Sequence, residues 1–496
     1  MRDGSFVIAR LPLSSRFRLV GMRIAIREYG CGGGSPATRR LALVLLILSS
    51  WLSCFSIVVV PRAVAADAVP ASQPAAQTSP SQSVWDWMVA NSPNAISGNP
   101  GAVNVKPGLG LLGRVLGFRP DSGVFIGGLW TADADYLFGG GVHPRSWDLN
   151  SLVIVGLDLD FEKLIGLPGS EFGATFLQFD GQASNADAGV VTGYDGLTGP
   201  PPLDRSELYQ LWWRQRLFHD KLSVRFGKVV PTYDFNNVAR PVPVQDGSLS
   251  IPAVTGLIYT PIFVNPTILG ALPGYYNSAY GITTTFTPSR NWYISYGIYD
   301  GNLARGHQTG LHGTPEFSGY YFQIGEVGTA WLLGPEGMPG SIGLGGWGQT
   351  GKLTAGSGQQ SVQQNGTEGF YAFGSQRIWL RHPGVDNSGV SGFLQFGIND
   401  SRTMLASKYF GLGLTGFGLV PYRPEDSIGA GSAWSWLNRL PGSGFRSNEL
   451  ILQAYYQAHV AGGIYLQPTL SYVPNPGQSN ALHAATALTL QSIVLF

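Results

Sequence analysis

Four side chains in the middle of the sequence have types and spacing suited to holding a flat, hydroxyl-rich molecule. Trp212, Arg214 and Arg216 recur at every second position, and Arg225 follows further along the chain. An indole ring offers an apolar face to the C–H groups of a solute. A guanidinium group offers a rigid fork of N–H donors to paired hydroxyls. We therefore predict that these four residues line one surface and contact a neutral polar solute.

A second set of acidic residues is predicted to lie on the wall that faces these arginines. It consists of Asp133, Asp135, Asp158, Asp160 and Glu162. Carboxylates accept hydrogen bonds from hydroxyls, and they balance the positive charge of arginines. A simpler hypothesis is that both charged sets only solvate the wall and neutralise each other. The sequence leaves both hypotheses open.

No catalytic, metal or cofactor site is predicted. Asp158 and Asp160 could suggest a glycosidase, but such an enzyme needs opposed carboxylates at a defined separation. Residues two apart instead share one face of a strand. His307 and His312 lie in a glycine-rich stretch without a third metal ligand. The glycine-rich segment 343–346 lacks the lysine of a phosphate-binding loop.

The elements that must position these side chains are β-strands. From Gly123 to the end, apolar and polar residues alternate with a period of two between turn signals, and no long helical pattern intervenes. The last ten residues predict a strand with two different faces. We expect one face to contact lipid, and it comprises Leu488, Leu490, Val494 and Phe496. The other face, with Thr489 and Gln491, is expected to point into the interior. Segments 181–206, 236–256 and 352–368 are predicted to be long loops, one of which folds inward.

The composition favours a transmembrane β-barrel over a soluble β-sandwich. Charged residues make up only 12% of the 496 residues, against roughly 25% in ordinary soluble domains. Glycine and aromatic residues are abundant, yet mean hydropathy is only +0.07, which argues against membrane-spanning helices. An aromatic strand end at Phe496 suits a closing strand, because no open sheet edge survives in lipid. At roughly 27 residues per strand, residues 66–496 fit an all-β, antiparallel barrel of about 16 strands.

The first part of the chain is predicted to be an export signal followed by a linker. A basic start, an apolar run over residues 41–60 and an Ala-x-Ala end describe a signal peptide over 1–65, with Met22 as a possible alternative start. Residues 66–84 are rich in Pro, Ala, Ser and Gln and predict a linker. Residues 85–122 show no clear pattern, and the barrel itself is assigned to 123–496. Both cysteines fall within the signal, so no disulfide is expected after cleavage.

Six motifs occur in the order in which they are found in one known family. They are 157–169 (LDLDFEKLIGLPG), 207–216 (ELYQLWWRQR) with 221–228 (KLSVRFGK), 233–235 (YDF), 322–326 (FQIGE), 422–426 (YRPED) and 467–472 (QPTLSY). The chain resembles the carbohydrate-selective outer-membrane porins of the OprB type over roughly residues 110–496. The resemblance implies a 16-stranded barrel that admits sugars across the outer membrane of a Gram-negative bacterium by diffusion. The family's usual Gly-Asp-Trp opening segment is only partly matched, by Trp85-Asp86-Trp87.

The expected partners are carbohydrates, outer-membrane lipids and the barrel-assembly machinery, and the protein is expected to be a monomer or a trimer. Nucleic acid is excluded, because the net charge is only +1 and no basic stripe is present. Two alternatives stay open at this point. One is a porin of other or general small-solute selectivity, and the other is a secreted, soluble β-rich sugar-binding protein.

Overall fold

The structure, a computed structural model, describes residues 107–119, 121–199, 202–238, 256–289, 291–356, 361–386 and 388–496. The predicted signal peptide and linker lie outside the described residues. So does most of the predicted 236–256 loop.

Sixteen antiparallel strands form one closed barrel in which each strand pairs with its neighbours in sequence. The predicted fold class and strand number are therefore confirmed. The strands are β1 (Val124–Gly139), β2 (Trp147–Asp160), β3 (Ser170–Asp180), β4 (Arg205–Leu217), β5 (Leu222–Val229), β6 (Ala279–Ser289), β7 (Trp292–Asp300), β8 (Tyr321–Leu333), β9 (Met338–Ala355), β10 (Val362–Leu380), β11 (Gly389–Asn399), β12 (Ala406–Phe417), β13 (Ser427–Leu437), β14 (Asn448–Ala461), β15 (Ile464–Val473) and β16 (Ala485–Leu495).

The helices in the described part of the chain are short, and they lie outside the strands. They are α1 (Leu111–Val115), α2 (Phe161–Ile165), α3 (Ser184–Asp187) and α4 (Thr260–Phe263), with 3₁₀ turns at Pro231–Tyr233, Asn302–Arg305 and Thr309–Leu311. Within the described ranges, no helix is long and apolar enough to cross a bilayer.

The last strand closes the barrel against the first, as its sequence predicts. Leu129 pairs with Leu495 at one end of the β1–β16 ladder. Phe496 extends the pairing, because its N–H donates to the Gly128 carbonyl at 2.9 Å and its carbonyl accepts from Gly128 at 2.7 Å. No unpaired edge remains between these two strands.

Side chains alternate between the interior and the outer surface along the strands. On β16, Thr489 and Gln491 are buried inside, whereas Leu488 is exposed on the outer face. This agrees with the predicted faces of the last strand. The predicted loop at 352–368 is wrong, because β9 continues to Ala355 and β10 begins at Val362. On β10 the consecutive Gln363 and Gln364 are exposed and half-buried, respectively, so the Gly- and Gln-rich composition was misleading here.

Connections of unequal length divide the barrel into two ends. At the turn end, β14 and β15 are joined by only two residues, and Phe496 lies at the same end. At the loop end, loop A (181–204) joins β3 to β4 and loop B (230–278) joins β5 to β6. The described parts of both loops fold into the interior, as predicted for one long loop.

Loop B crosses to strands on the far side of the barrel. The Gln453 side chain of β14 accepts a hydrogen bond from the Ile258 N–H at 2.7 Å. The Asn399 side chain of β11 donates to the Thr267 carbonyl at 2.6 Å. Since β11 and β14 lie well round the ring from β5 and β6, this loop spans the lumen and narrows it.

Candidate functional site

Trp212 lies flat against the inner wall of β4, where it is 2% exposed. Gly173 on the neighbouring strand makes room for it, because a Cβ there would lie 2.2 Å from the indole ring. The guanidinium carbons of Arg214 and Arg225 lie 5.4 and 5.7 Å from the ring centroid. These distances are within the range of cation–π attraction. The structure thus brings the predicted tryptophan and two of the predicted arginines together.

Carboxylates neutralise this group of arginines. Arg214 and Arg225 are directly opposite each other on β4 and β5, an arrangement that would be repulsive alone. Glu171 on β3 forms ion pairs with Arg214 and, at 3.0 Å, with Arg216. Asp234 of loop B pairs with Arg225. The cluster therefore presents forked donors with little net positive charge.

A bulge changes which residues of β4 face inward. The pairing of β3 with β4 shifts at Thr175 and Phe176, and both Tyr209 and Gln210 are buried. The every-second-residue spacing of Trp212, Arg214 and Arg216 would place Tyr209 on the outer face, whereas the structure places it inside. A bulge adds one residue to a strand and reverses the alternation beyond it.

The same bulge brings a charged pair inward that the sequence pattern missed. Arg205 and Glu207 form an ion pair of 2.7 Å, and both side chains are almost fully buried. Before the bulge the odd-numbered residues of β4 face the interior, and after it the even-numbered ones do. An alternation extrapolated from Trp212 therefore places this pair on the wrong face.

Asp133, Asp135 and Asp158 face the interior but do not lie opposite the arginines. They belong to β1 and β2, which are only two to four strands from β4 and β5 in the ring. The predicted facing wall is therefore wrong, because strands that are close in sequence are also neighbours in this barrel. Asp133 accepts a hydrogen bond from Gln491 at 3.2 Å, and Asp135 accepts one from Thr489.

Asp160 and Glu162 are not part of the inner strand wall. Asp160 caps α2 by accepting hydrogen bonds from the N–H groups of Glu162 and Lys163. Glu162 lies in that helix and accepts from the Gly169 N–H at 3.0 Å. Both residues therefore stabilise the connection between β2 and β3 at the turn end. A carboxylate at the N-cap satisfies free N–H groups of the first helical turn, and this local effect ends the strand before Phe161.

An aromatic stack joins strand β3 to loop B. Phe179 stacks on Tyr276 with ring centroids 4.9 Å apart, and Tyr276 contacts Tyr275 at 5.0 Å. Phe263 lies 6.4 Å beyond Tyr275. Both tyrosines have positive φ angles, 53° and 70°, a backbone conformation that is costly for bulky residues. Burial raises the pKa of both phenol groups well above the ordinary value, so both stay neutral hydroxyl groups.

Two cavities adjoin this stack and share Tyr275 in their linings. The larger, 690 Å³, lies among the loops at the loop end. Its lining, among the described residues, includes hydroxyl, amide and apolar side chains but no acidic or basic one. The smaller, 100 Å³, is lined by Tyr209, Tyr233, Tyr276 and other residues of the inner wall. Tyr275 therefore stands between a roomy uncharged cavity and a narrow aromatic one.

The loop residues of this site were missed by the sequence analysis, as was Glu171. A signal for Glu171 existed, because it alternates in phase with Gly173 and Thr175 on β3. Nothing local in the sequence predicts that Tyr275 and Tyr276 reach the inner wall. In the described parts of the chain, no group of three or more His, Cys, Asp or Glu residues is arranged to hold a metal ion.

A closed 16-stranded barrel with an apolar outer face and inward loops over a polar interior defines the class of outer-membrane porins. Within that class the chain belongs to the OprB family of carbohydrate-selective porins, because the sequence model of that family matches residues 153–496. The chain is similar to Porin B of Pseudomonas aeruginosa, with 26% identity over 364 residues, 65% of this chain and 76% of that protein. The high-pH structure of Pseudomonas putida OprB has the same fold, with a TM-score of 0.63 and 20% identity, covering 76% of this chain and 95% of that one.

The protein is accordingly a carbohydrate channel of the Gram-negative outer membrane. Its family and fold indicate a channel rather than an enzyme. They also favour a membrane-embedded porin over the soluble sugar-binding protein considered above. Since short turns of such barrels face the periplasm and long loops face the outside, the turn end is periplasmic and the loop end is extracellular.

Proposed function

We propose that the channel passes neutral mono- and small oligosaccharides, and that Trp212, Arg214, Arg216 and Arg225 contact them. The observation that carries this proposal is the pairing of the arginines with Glu171 and Asp234 beside the indole face. Ion pairing removes most of the attraction for anions, and the Arg214 and Arg216 side chains stay 24% and 33% exposed. An aromatic face with neutralised donor forks suits a flat, uncharged, hydroxylated ring.

The proposed path begins in the 690 Å³ cavity, which serves as an extracellular vestibule. Its uncharged lining exchanges hydrogen bonds with a sugar without holding it tightly. Tyr275 and Tyr276 then present ring faces towards the 100 Å³ cavity, and Trp212 lies on the wall nearer the periplasm. Conduction needs binding at several sites, each weak enough for release.

Asp133, Asp135 and Asp158 are proposed as acceptors along the path, beside the arginine cluster. All three are buried on the inner wall. Asp160 and Glu162 are not proposed as solute contacts, because they hold the α2 connection.

Replacing both Arg214 and Arg216 by alanine is expected to weaken the block of single-channel current by sugar about tenfold or more. Each replacement removes a charge-assisted hydrogen bond to the solute, worth roughly 1.5–3 kcal/mol. A loss of about 1.4 kcal/mol corresponds to a tenfold weaker affinity. A triple variant that also carries Glu171→Gln should show the same weaker sugar block, and it leaves no unpaired carboxylate at position 171. Arg402→Ala, on an exposed extracellular residue, is the control. An unchanged sugar block in the double and triple variants would remove these arginines from the path.

Liposome swelling distinguishes this selectivity from the alternative of a porin for organic acids or general small solutes. We expect faster swelling with neutral sugars than with organic anions of similar size. Equal rates for both would favour the general porin.

Replacing Tyr275 by alanine is expected to raise the open-channel conductance. Its ring separates the two cavities, and its removal joins them. Tyr275→Phe retains the ring but loses the hydroxyl contacts to Thr260 and Gly196, so its conductance should stay near that of the unaltered channel. Equal conductance of the alanine variant and the unaltered channel would contradict a constriction at this residue.

We further propose that the barrel-assembly machinery inserts the chain, that lipids cover the outer apolar faces, and that no catalytic activity accompanies transport. The working form is a monomer or a trimer. Native mass spectrometry of the detergent-solubilised protein distinguishes these two states.

A further inference from the structure

Arg377 is a cation on the inner wall that belongs to none of the groups described above. It lies on β10, close to the periplasmic end of that strand, and pairs in register with Ser391 of β11. Tyr371, Phe373 and Ser375 precede it on the same inward face. The residue is 1% exposed.

All three guanidinium nitrogens of Arg377 lack a hydrogen-bond partner in the described part of the chain. No ion pair to an acidic residue is formed there either. An arginine stays charged in proteins, and a buried charge without a partner is strongly unfavourable. In this respect Arg377 contrasts with Arg205, Arg214, Arg216 and Arg225, each of which pairs with a carboxylate.

A hydroxyl group next to Arg377 likewise lacks a hydrogen-bond partner among the described residues. Ser391 Oγ is fully buried, and within the described ranges it makes no hydrogen bond. The adjacent inward hydroxyl groups already form hydrogen bonds with other side chains. Ser375 contacts Ser341 at 3.2 Å, and Thr415 contacts Tyr455 at 2.9 Å. Among these neighbouring inward side chains, Arg377 and Ser391 are the pair whose donors lack a hydrogen-bond partner.

We propose that Arg377 and Ser391 form an anion-binding site on the periplasmic half of the lumen wall, which binds a carboxylate or phosphate group of a small solute. The planar guanidinium fork matches two oxygens of either group, and the serine hydroxyl donates to one of them. A neutral sugar supplies no charge to offset the guanidinium. The channel therefore has a second solute class, acidic or phosphorylated sugars, in addition to neutral ones.

The surroundings of this pair strengthen binding of an anion. Phe373 and Phe393 lie on the inward faces of the same two strands and are each 5% exposed. Apolar neighbours lower the local dielectric, which strengthens a charge-assisted contact. This site lies on β10 and β11, whereas the proposed neutral-sugar contacts lie on β4 and β5. Either proposal can therefore fail without the other.

The test is current block of single channels in planar bilayers by glucuronate, inorganic phosphate and glucose. In the unaltered channel, glucuronate and phosphate should both produce a block, and Arg377→Gln should weaken both at least tenfold while leaving the glucose block unchanged. Arg377→Lys keeps the charge but loses the fork, so it should weaken the anion block to a smaller extent. The control is Arg381→Gln, which removes a charge from the adjacent periplasmic turn.

Two results would overturn the proposal. One is an anion block that Arg377→Gln leaves intact. The other is equal weakening by Arg377→Gln and Arg381→Gln, which would indicate a general surface potential instead of a site. Resistance of the folded barrel to detergent before heating establishes that each variant is folded. If Arg377→Gln does not fold, Arg377→Lys provides the test. An anion block in Arg377→Lys equal to that of the unaltered channel would exclude recognition of the anion by the guanidinium fork.

Discussion

Replacing Gly128 by valine is expected to prevent the barrel from closing. A Cβ at this position would lie 2.4 Å from the Phe496 ring and 2.5 Å from the Ile154 carbonyl oxygen. The carbonyl belongs to the backbone of β2, so it cannot move aside without breaking a ladder. Gly128 also exchanges both backbone hydrogen bonds with Phe496. Loss of this junction exposes strand edges, which lipid does not tolerate.

The measurement is the heat-modifiable shift in electrophoretic mobility that a folded outer-membrane barrel shows. We expect the Gly128→Val variant to run only at the unfolded position. Gly139→Val, at the other end of β1, is the matched control, because a Cβ there meets no atom within 4 Å. A folded, heat-modifiable Gly128→Val protein would show that closure does not depend on this contact.

Replacing Glu449 by alanine is expected to release loop A from the lumen. This one carboxylate accepts hydrogen bonds from the N–H groups of Val191 and Thr192 at 2.8 Å each and from the Thr192 hydroxyl at 2.6 Å. It also accepts from the Gly477 N–H at 2.7 Å, in the loop between β15 and β16. Hydrogen bonds to a charged group contribute roughly 1.5–3 kcal/mol each. Their joint loss leaves several buried N–H groups without an acceptor, so the loop should leave its position.

Single-channel recording measures this effect. The Glu449→Ala channel should show higher and noisier conductance and weaker discrimination between sugars of different size. Glu336→Ala, in the exposed turn between β8 and β9, removes the same charge without touching a loop contact. Conductance and size discrimination equal to those of the control would contradict the role of Glu449 as the anchor of loop A.

The strands could be predicted from the sequence because their determinants are local. Thr489 and Gln491 alternate with apolar residues, and only one arrangement places them inside the barrel. The bulge at Tyr209 could not be predicted, since it results from pairing with β3 and changes no residue type. Asp160 and Glu162 were also misplaced on the inner wall, because capping of α2 by Asp160 outweighs the continuing alternation.

The candidate site likewise has one part that the sequence predicts and one part that it does not. Trp212, Arg214 and Arg216 share a face because of their spacing, and the structure brings them together. Their position relative to Asp133 and Asp158 depends on the order of strands around the ring, which alternation does not encode. The contacts of Tyr275 and Glu449 join segments far apart in sequence and depend on how loops A and B fold inward.

Planar-bilayer conductance with a panel of sugars measures the channel and its selectivity together. We expect discrete channels whose current is blocked by neutral sugars in a saturable, size-dependent manner, with a weaker block after Arg214 and Arg216 are both replaced by alanine. Discrete channels whose current no neutral sugar blocks would contradict the proposed selection of sugars by the lumen wall.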